Sequence, residues 1–254
     1  MSLLDLVYRV IDTETTGLDP ATCAVCEVAL RDVTGRGEER RRFQSLLDPG
    51  HPIPASASAI HHITDADVAG KPRLGDVMPT IVETSADAFV AHSAFFDQSF
   101  LRLPGTWLCT NRMAKHLFPE LVAHSNEEVR YHLRVDVDTP KDTASHRAAA
   151  DVAVTAAIFA RMLPMCLERW PGVACPADLA AELDKPCRLH KIPFTKVRGQ
   201  PFDEVESGLL HWIIDKQAGG QDVIHTAQLV LEERYRPRAP MPATCADVDS
   251  DIPF

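Results

Sequence analysis

The sequence predicts an α/β fold: a mixed sheet flanked by helices, followed by a small α-rich module and a tail. Three observations carry this reading. Three short apolar segments follow one another near the N-terminus, as in an antiparallel meander. Strand-like and helix-like segments then alternate, the order of a mixed sheet with covering helices. Finally, residues 147–163 are Ala-rich with a 3.6-residue apolar period, the pattern of a long helix packed on a core.

In order, the strands of the meander are expected at 7–12, 23–31 and 42–47, the last two joined by the turn-like Thr34-Gly35-Arg36-Gly37. Residues 49–54 read as a loop, and 65–69 and 74–82 as short helices. A strand at 87–91 leads into a helix at 95–101, then a short strand at 107–109 and helices at 111–117 and 126–133. Residues 136–145 are polar and loop-like, and Pro164 is expected to end the long helix. The resulting division is a domain at 1–168, a linker at 169–191 with one short helix at 177–183, a small module at 192–235 and a flexible tail at 236–254. Helices are expected in the module at 209–216 and 225–233.

At 254 residues with 45% hydrophobic and 24% charged residues, the composition is that of a globular protein. No apolar run reaches the roughly 18–20 residues of a membrane span. The first residues lack the basic stretch of a secretory signal, so a cytoplasmic location is expected. Seven scattered cysteines do not make a disulfide framework. The spacings Cys23-x2-Cys26 and Cys187-x2-His190 offer zinc ligands, but roughly 160 residues separate them. Cys23 and Cys26 also begin a strand, where a thiol packs as a small hydrophobe. A net charge of −10 argues against a protein that coats nucleic acid by phosphate neutralisation. It suits an enzyme that gathers carboxylates around metal ions.

Those carboxylates stand in three places. In Asp12-Thr13-Glu14-Thr15-Thr16-Gly17-Leu18 the two acids are spaced i, i+2 and so leave one face of a strand together. Two adjacent like charges require neutralisation, and a divalent cation supplies it. Asp97 follows two aromatics at the start of a helix, and His146-x4-Asp151 places a histidine at the start of another helix with an acid one turn inside. Taken singly, Asp12 and Glu14 are strand-end charges, Asp97 an acid favoured by a helix N-terminus, and His146 a surface histidine. Together, four carboxylates can hold two Mg²⁺ or Mn²⁺ ions about 3.5–4 Å apart. A nearby histidine can take a proton from the attacking water. That chemistry is hydrolytic phosphoryl transfer.

These motifs, Asp12-x-Glu14, Asp97 and His146-x4-Asp151, resemble those of the DEDDh (DnaQ-like) 3′→5′ exonuclease superfamily, whose members have a ribonuclease-H-like fold. The stretches Ile11-Asp12-Thr13-Glu14-Thr15, Ala59-Ile60-His61-His62-Ile63-Thr64, Lys71-Pro72, Val90-Ala91-His92, Phe96-Asp97 and His146-Arg147-Ala148 are similar to its exodeoxyribonuclease X branch, over about residues 9–163 and more weakly to 215. The resemblance implies removal of nucleotides from the 3′ ends of single- or double-stranded DNA. Asp12, Glu14, Asp97 and Asp151 would ligate two Mg²⁺ or Mn²⁺ ions, and His146 would act as general base. Leu18 falls where the family wedges an apolar side chain against the terminal base. His61, Phe96 and Thr15 fall among its terminal-nucleotide contacts. By themselves Leu18 and Phe96 fit core packing equally well, and His61 a loop. Ser93 departs from the family's usual Asn, and Asp19 adds a negative charge near the primer end. Lys191, Lys196 and Arg198 read either as phosphate contacts or as a solvated basic turn.

The last residues, Asp251-Ile252-Pro253-Phe254 behind Asp247 and Asp249, resemble the C-terminal tip of bacterial single-stranded-DNA-binding proteins. That likeness implies docking on proteins that recognise the tip; the plain reading is a disordered acidic end. Two rivals to a DNA exonuclease remain on the residues alone. One is an exoribonuclease of the same superfamily, since the motifs do not read the 2′-OH. The other is a non-catalytic adaptor that acts through the tail.

Overall fold

The computed structural model describes residues 2–137, 147–194 and 196–236. Its centre is a five-stranded sheet of order β3-β2-β1-β4-β5. β1 (Val7–Thr15), β2 (Val25–Thr34) and β3 (Glu39–Leu46) form the antiparallel meander. β4 (Ala88–Ala91) and β5 (Trp107–Cys109) join it in parallel on the other side of β1. All five expected strands are present. β1 and β2 each run three residues past their expected C-terminal ends, so Glu14 as well as Asp12 lies within the strand.

Strand alternation divides β1 between two cores. Tyr8 and Val10 pack on one face with Val152, Ile158, Phe159 and Met162 of α7 (Ala148–Arg169). Ile11 packs on the other with Leu30 and with Val77 and Ile81 of α3 (Leu74–Ile81). Asp12 and Glu14, in phase with Tyr8 and Val10, are therefore directed to the α7 face. Arg9, on the opposite face, makes a fully buried pair with Asp32 across the β1–β2 ladder at 2.7 Å.

The remaining helices of this unit are α1 (Ala55–His61), α2 (Asp65–Val68), α4 (Ala94–Leu101), α5 (Thr110–Leu117), α6 (Asn126–His132) and α8 (Pro176–Asp184). Two expectations need correction. Pro164 does not end α7, which continues to Arg169. The proline ring is exposed while Leu163 and Cys166 on the inner face are fully buried, and that burial outweighs one missing helical hydrogen bond. Residues 169–191 are also more than a linker, because α8 buries Leu179 and Leu183 in the main core. α7 is, among the described residues, the one helix long and apolar enough to cross a bilayer, but its apolar side is packed against the sheet.

The small module has its own core of Leu189, Ile192, Phe202, Leu210, Ile213 and Val230, built around α9 (Ser207–Asp215) and α10 (Gln221–Tyr235). Buried Asp222 ties it to the main unit by accepting hydrogen bonds from Arg112 and from Lys115 at 3.2 Å, and within the module it accepts from the Cys187 amide at 3.1 Å. Gly219, at φ +84, leaves no room for a Cβ beside the Phe194 ring.

Leu179→Ala should lower the unfolding free energy by about 2–5 kcal/mol in urea denaturation, the loss expected for a core leucine. A loss within about 0.5 kcal/mol would mean that α8 is a solvated connector.

Candidate active site

The site is assembled at the C-terminal end of β1 from three elements. β1 brings Asp12 and Glu14. α7 brings Asp151 from its first turn, and α4 brings Asp97 from its own. Carboxylate oxygens of Asp12, Glu14 and Asp151 lie within 4.8 Å of one another. Asp97 is 3% exposed and accepts a hydrogen bond from Thr13 Oγ1 at 2.9 Å. Thr13, pointing to the opposite face of β1 from its two acidic neighbours, thus fixes the fourth acid from behind.

The electrostatics match this crowding. Burial first, and then Asp97, Asp151 and Glu14, push the Asp12 carboxyl well above the usual carboxylate range. Glu14 is pushed from 4.5 to about 8 by burial and by Asp151, Glu27 and Asp97. Burial raises Asp97 to about 7 despite the opposing hydrogen bonds from Thr13. A set of hard oxygen donors that resists ionising together fits a divalent cation, which would supply the missing positive charge.

Sequence reading missed a fifth acid. Glu27 on β2 stands directly across the ladder from Glu14 and is fully buried. Burial alone would raise it, but Arg147 and Gln44 hydrogen bonds and the Ala148 amide hold it below the usual range. Its one sequence signal is a charge inside the otherwise apolar run 25–30. Its position opposite Glu14 exists only once the strands are in register.

Beside the acids is a cleft of about 350 Å³ lined by Thr13, Glu14, Thr15, Thr16, Gly17, Leu18, Ser56, Ala57, Ile60, His61 and Phe96. All four residues expected to contact the terminal nucleotide therefore meet there. Leu18 is 85% exposed, which removes its core-packing alternative, and Phe96 is half-buried against Phe100. Thr15 is buried and donates to the Gly17 carbonyl at 2.7 Å. A Cβ on Gly17 would meet Cys23 Sγ at 2.6 Å, so glycine lets the chain turn away there. His61 is buried at the end of α1, not in a loop. Its Nδ1 accepts from the Ile63 amide at 3.0 Å, and burial lowers its pKa. Helix α1 itself carries little sequence signal, being seven residues long and starting at Pro54 without a side-chain cap.

His146 lies outside the described residues, as do Asp251, Ile252, Pro253 and Phe254. His92 is not a free base: its ring nitrogens meet Thr110 Oγ1 at 2.9 Å and the His124 carbonyl at 3.0 Å, and burial depresses its pKa to about 4. Asp19 uses its carboxylate locally, accepting from the Ala21 amide at 2.9 Å. Ser93 starts α4 without a side-chain cap bond. Cys26 and Cys187 belong to different cores, so the zinc spacings are not brought together.

Comparison with known proteins gives the same picture. The exonuclease family model (RNase_T) matches residues 10–159. Exodeoxyribonuclease 10 of Escherichia coli K12 is 33% identical over 213 residues, covering 82% of this chain and 91% of that protein. DNA polymerase III subunit epsilon of Aquifex aeolicus is 30% identical over 173 residues, covering 64% of this chain and 83% of that one. Among solved structures, exonuclease X in complex with 5′ overhanging duplex DNA superposes with a TM-score of 0.58 at 35% identity, covering 68% of this chain and 99% of that chain.

Glu14 predicts the pH response of the metal-free protein. Its folded pKa of about 8 lies above its ordinary 4.5, so its favourable contribution is complete below pH 4.5 and is lost as pH rises through 8. Without divalent ions, Tm should fall on the order of 5 °C between pH 5 and pH 9. Saturating Mg²⁺ should flatten that slope, and Glu14→Gln should reduce it, the remainder coming from Asp12 and Asp97, which are raised in the same direction. An unchanged slope under both conditions would contradict the assignment.

Proposed function

The chain belongs to the RNase_T exonuclease family, and on that premise we propose that it is a metal-dependent 3′→5′ exodeoxyribonuclease. It hydrolyses DNA phosphodiester bonds from the 3′ end and releases nucleoside monophosphates, in repair or replication. The observation that carries this reading is the convergence of Asp12, Glu14 and Asp151 within 4.8 Å, with buried Asp97 completing the set.

In this reading Asp12, Glu14, Asp97 and Asp151 hold two divalent cations, Mg²⁺ or Mn²⁺. When bound, these supply Lewis acidity that acidifies water and offsets charge growing on the phosphate. His146 removes the proton from the attacking water; its place next to Arg147 in the sequence supports that role. Leu18 presses on the terminal base, while Phe96, His61 and Thr15 line its pocket. An apolar wall of this kind accepts any base. DNA is preferred over RNA as substrate because exodeoxyribonuclease 10 and exonuclease X, whose identity to this chain exceeds 30%, are named for or solved with DNA.

The tail adds a second proposal. Asp251, Ile252, Pro253 and Phe254 recruit the enzyme to proteins that recognise the tip of single-stranded-DNA-binding proteins. The acids ahead of them favour a basic partner surface.

A time course on 3′- and 5′-labelled DNA and RNA with Mg²⁺ or Mn²⁺ tests the main reading. Label at the 3′ end should leave first, as mononucleotide, and DNA should be cleaved faster. Asp12→Ala and His146→Ala should each lower kcat by on the order of 10²–10⁴ or more while circular dichroism stays unchanged. Full activity in Asp12→Ala refutes the metal site. Deleting Phe254 should weaken binding to tip-recognising repair proteins by about tenfold or more; equal binding refutes recruitment.

A further inference from the structure

Glu27 and Arg147 stand outside the four-acid set, yet they connect its two halves. Glu27 is fully buried on β2, opposite Glu14. Its carboxylate accepts four hydrogen bonds: from Arg147 Nε at 3.0 Å, Arg147 Nη2 at 2.9 Å, Gln44 Nε2 at 2.9 Å and the Ala148 amide at 3.1 Å. Ala148 is the first residue of α7, whose leading amides have no partner inside the helix. The residue before it, Arg147, has no side-chain oxygen with which to cap them. Glu27 therefore caps the start of α7 from β2, in place of a side chain at the N-cap position itself. The Arg147 backbone carbonyl in turn accepts from the Asp151 amide at 3.1 Å.

We propose that Glu27 and Arg147 form a clamp that docks the first turn of α7 onto β2 and so positions Asp151 against Asp12 and Glu14. This inference rests on the metal-dependent reading above and adds two positioning residues to it. The geometry gives each partner a distinct task. Glu27 holds the helix start through the Ala148 amide and the Arg147 fork, and Asp151 follows one rigid turn later. Arg147 also neutralises Glu27, which would otherwise face Glu14 across the ladder as an unpaired like charge. Glu27 is fully buried while the Arg147 side chain is 32% exposed, and such a pair contributes little net stability over well-packed apolar side chains. Its siting beside the acids points to placement of Asp151.

The experiment measures Mn²⁺ binding to the full chain by electron paramagnetic resonance of free Mn²⁺, without DNA. It is paired with kcat and KM on a 3′-recessed duplex. Arg147→Ala should weaken Mn²⁺ binding and raise the Mn²⁺ needed for half-maximal activity by about 10–100-fold, as loss of a ligand's supporting partner does. KM for DNA should stay within about twofold, because uniform substrate binding is untouched. Arg147→Lys should recover part of the binding, since a single ammonium cannot reproduce the two-pronged contact. Should Arg147→Ala not fold, Arg147→Lys and Glu27→Gln carry the test, each expected to bind Mn²⁺ several-fold more weakly than the unaltered chain. Variants that fold and bind Mn²⁺ as the unaltered chain does overturn the clamp. Asp151→Ala separates the two levels: if it binds Mn²⁺ undiminished, the metal-site reading itself fails, and the clamp with it.

Discussion

The mutual repulsion of carboxylates at the end of β1 is the constraint that organises the rest of this molecule. Asp12, Glu14, Asp97 and Asp151 are crowded with Glu27 into partly or fully buried positions, where burial and the neighbouring acids raise the cost of ionising Asp12 and Glu14. Such an arrangement persists only if the surrounding scaffold over-determines it. The antiparallel β1–β2 ladder fixes Glu14 against Glu27, and the α7 and α4 first turns deliver the other two acids. Both cores of the sheet contribute, because α7 rests on one face and α4 is reached from the other.

The acids divide by how they are answered. Glu27 meets a guanidinium, an amide side chain and a helix amide, and stays ionised below the usual range. Asp97 meets a hydroxyl, which only partly offsets its burial. Asp12 and Glu14 are raised by burial and by their acidic neighbours, a condition that a bound cation would relieve. One cluster thus contains an acid whose ionised form its partners favour and acids whose ionisation is opposed, separated by partner chemistry and not by residue type.

The cleft beside the acids is built on different terms. Exposed Leu18 sits just past Gly17, whose missing side chain allows the chain to pass Cys23, and His61 and Ile60 come from the short α1. An exposed apolar side chain next to charged groups is useful where a stacked base covers it. In the proposed function such a contact would be indifferent to base identity.

Sequence alone determined the strand order up to pairing, the long α7, and the identity of the four acids, because strand and helix periods and i, i+2 spacing are local properties of the chain. It also placed Leu18, His61 and Phe96 through resemblance to a family. It could not end α7 correctly, since the burial of Leu163 and Cys166 that carries the helix past Pro164 is a tertiary term. It could not assign residues 169–191, where α8 looks like a connector until Leu179 and Leu183 enter the core. Glu27, Arg147 and Thr13 acquire their roles only when strands align and α7 docks, for each is defined by a partner 84 to 120 residues away in the chain. Periodicity says which way a side chain faces, but register and docking decide what it faces, and that is why the four acids were legible and the residues that hold them were not.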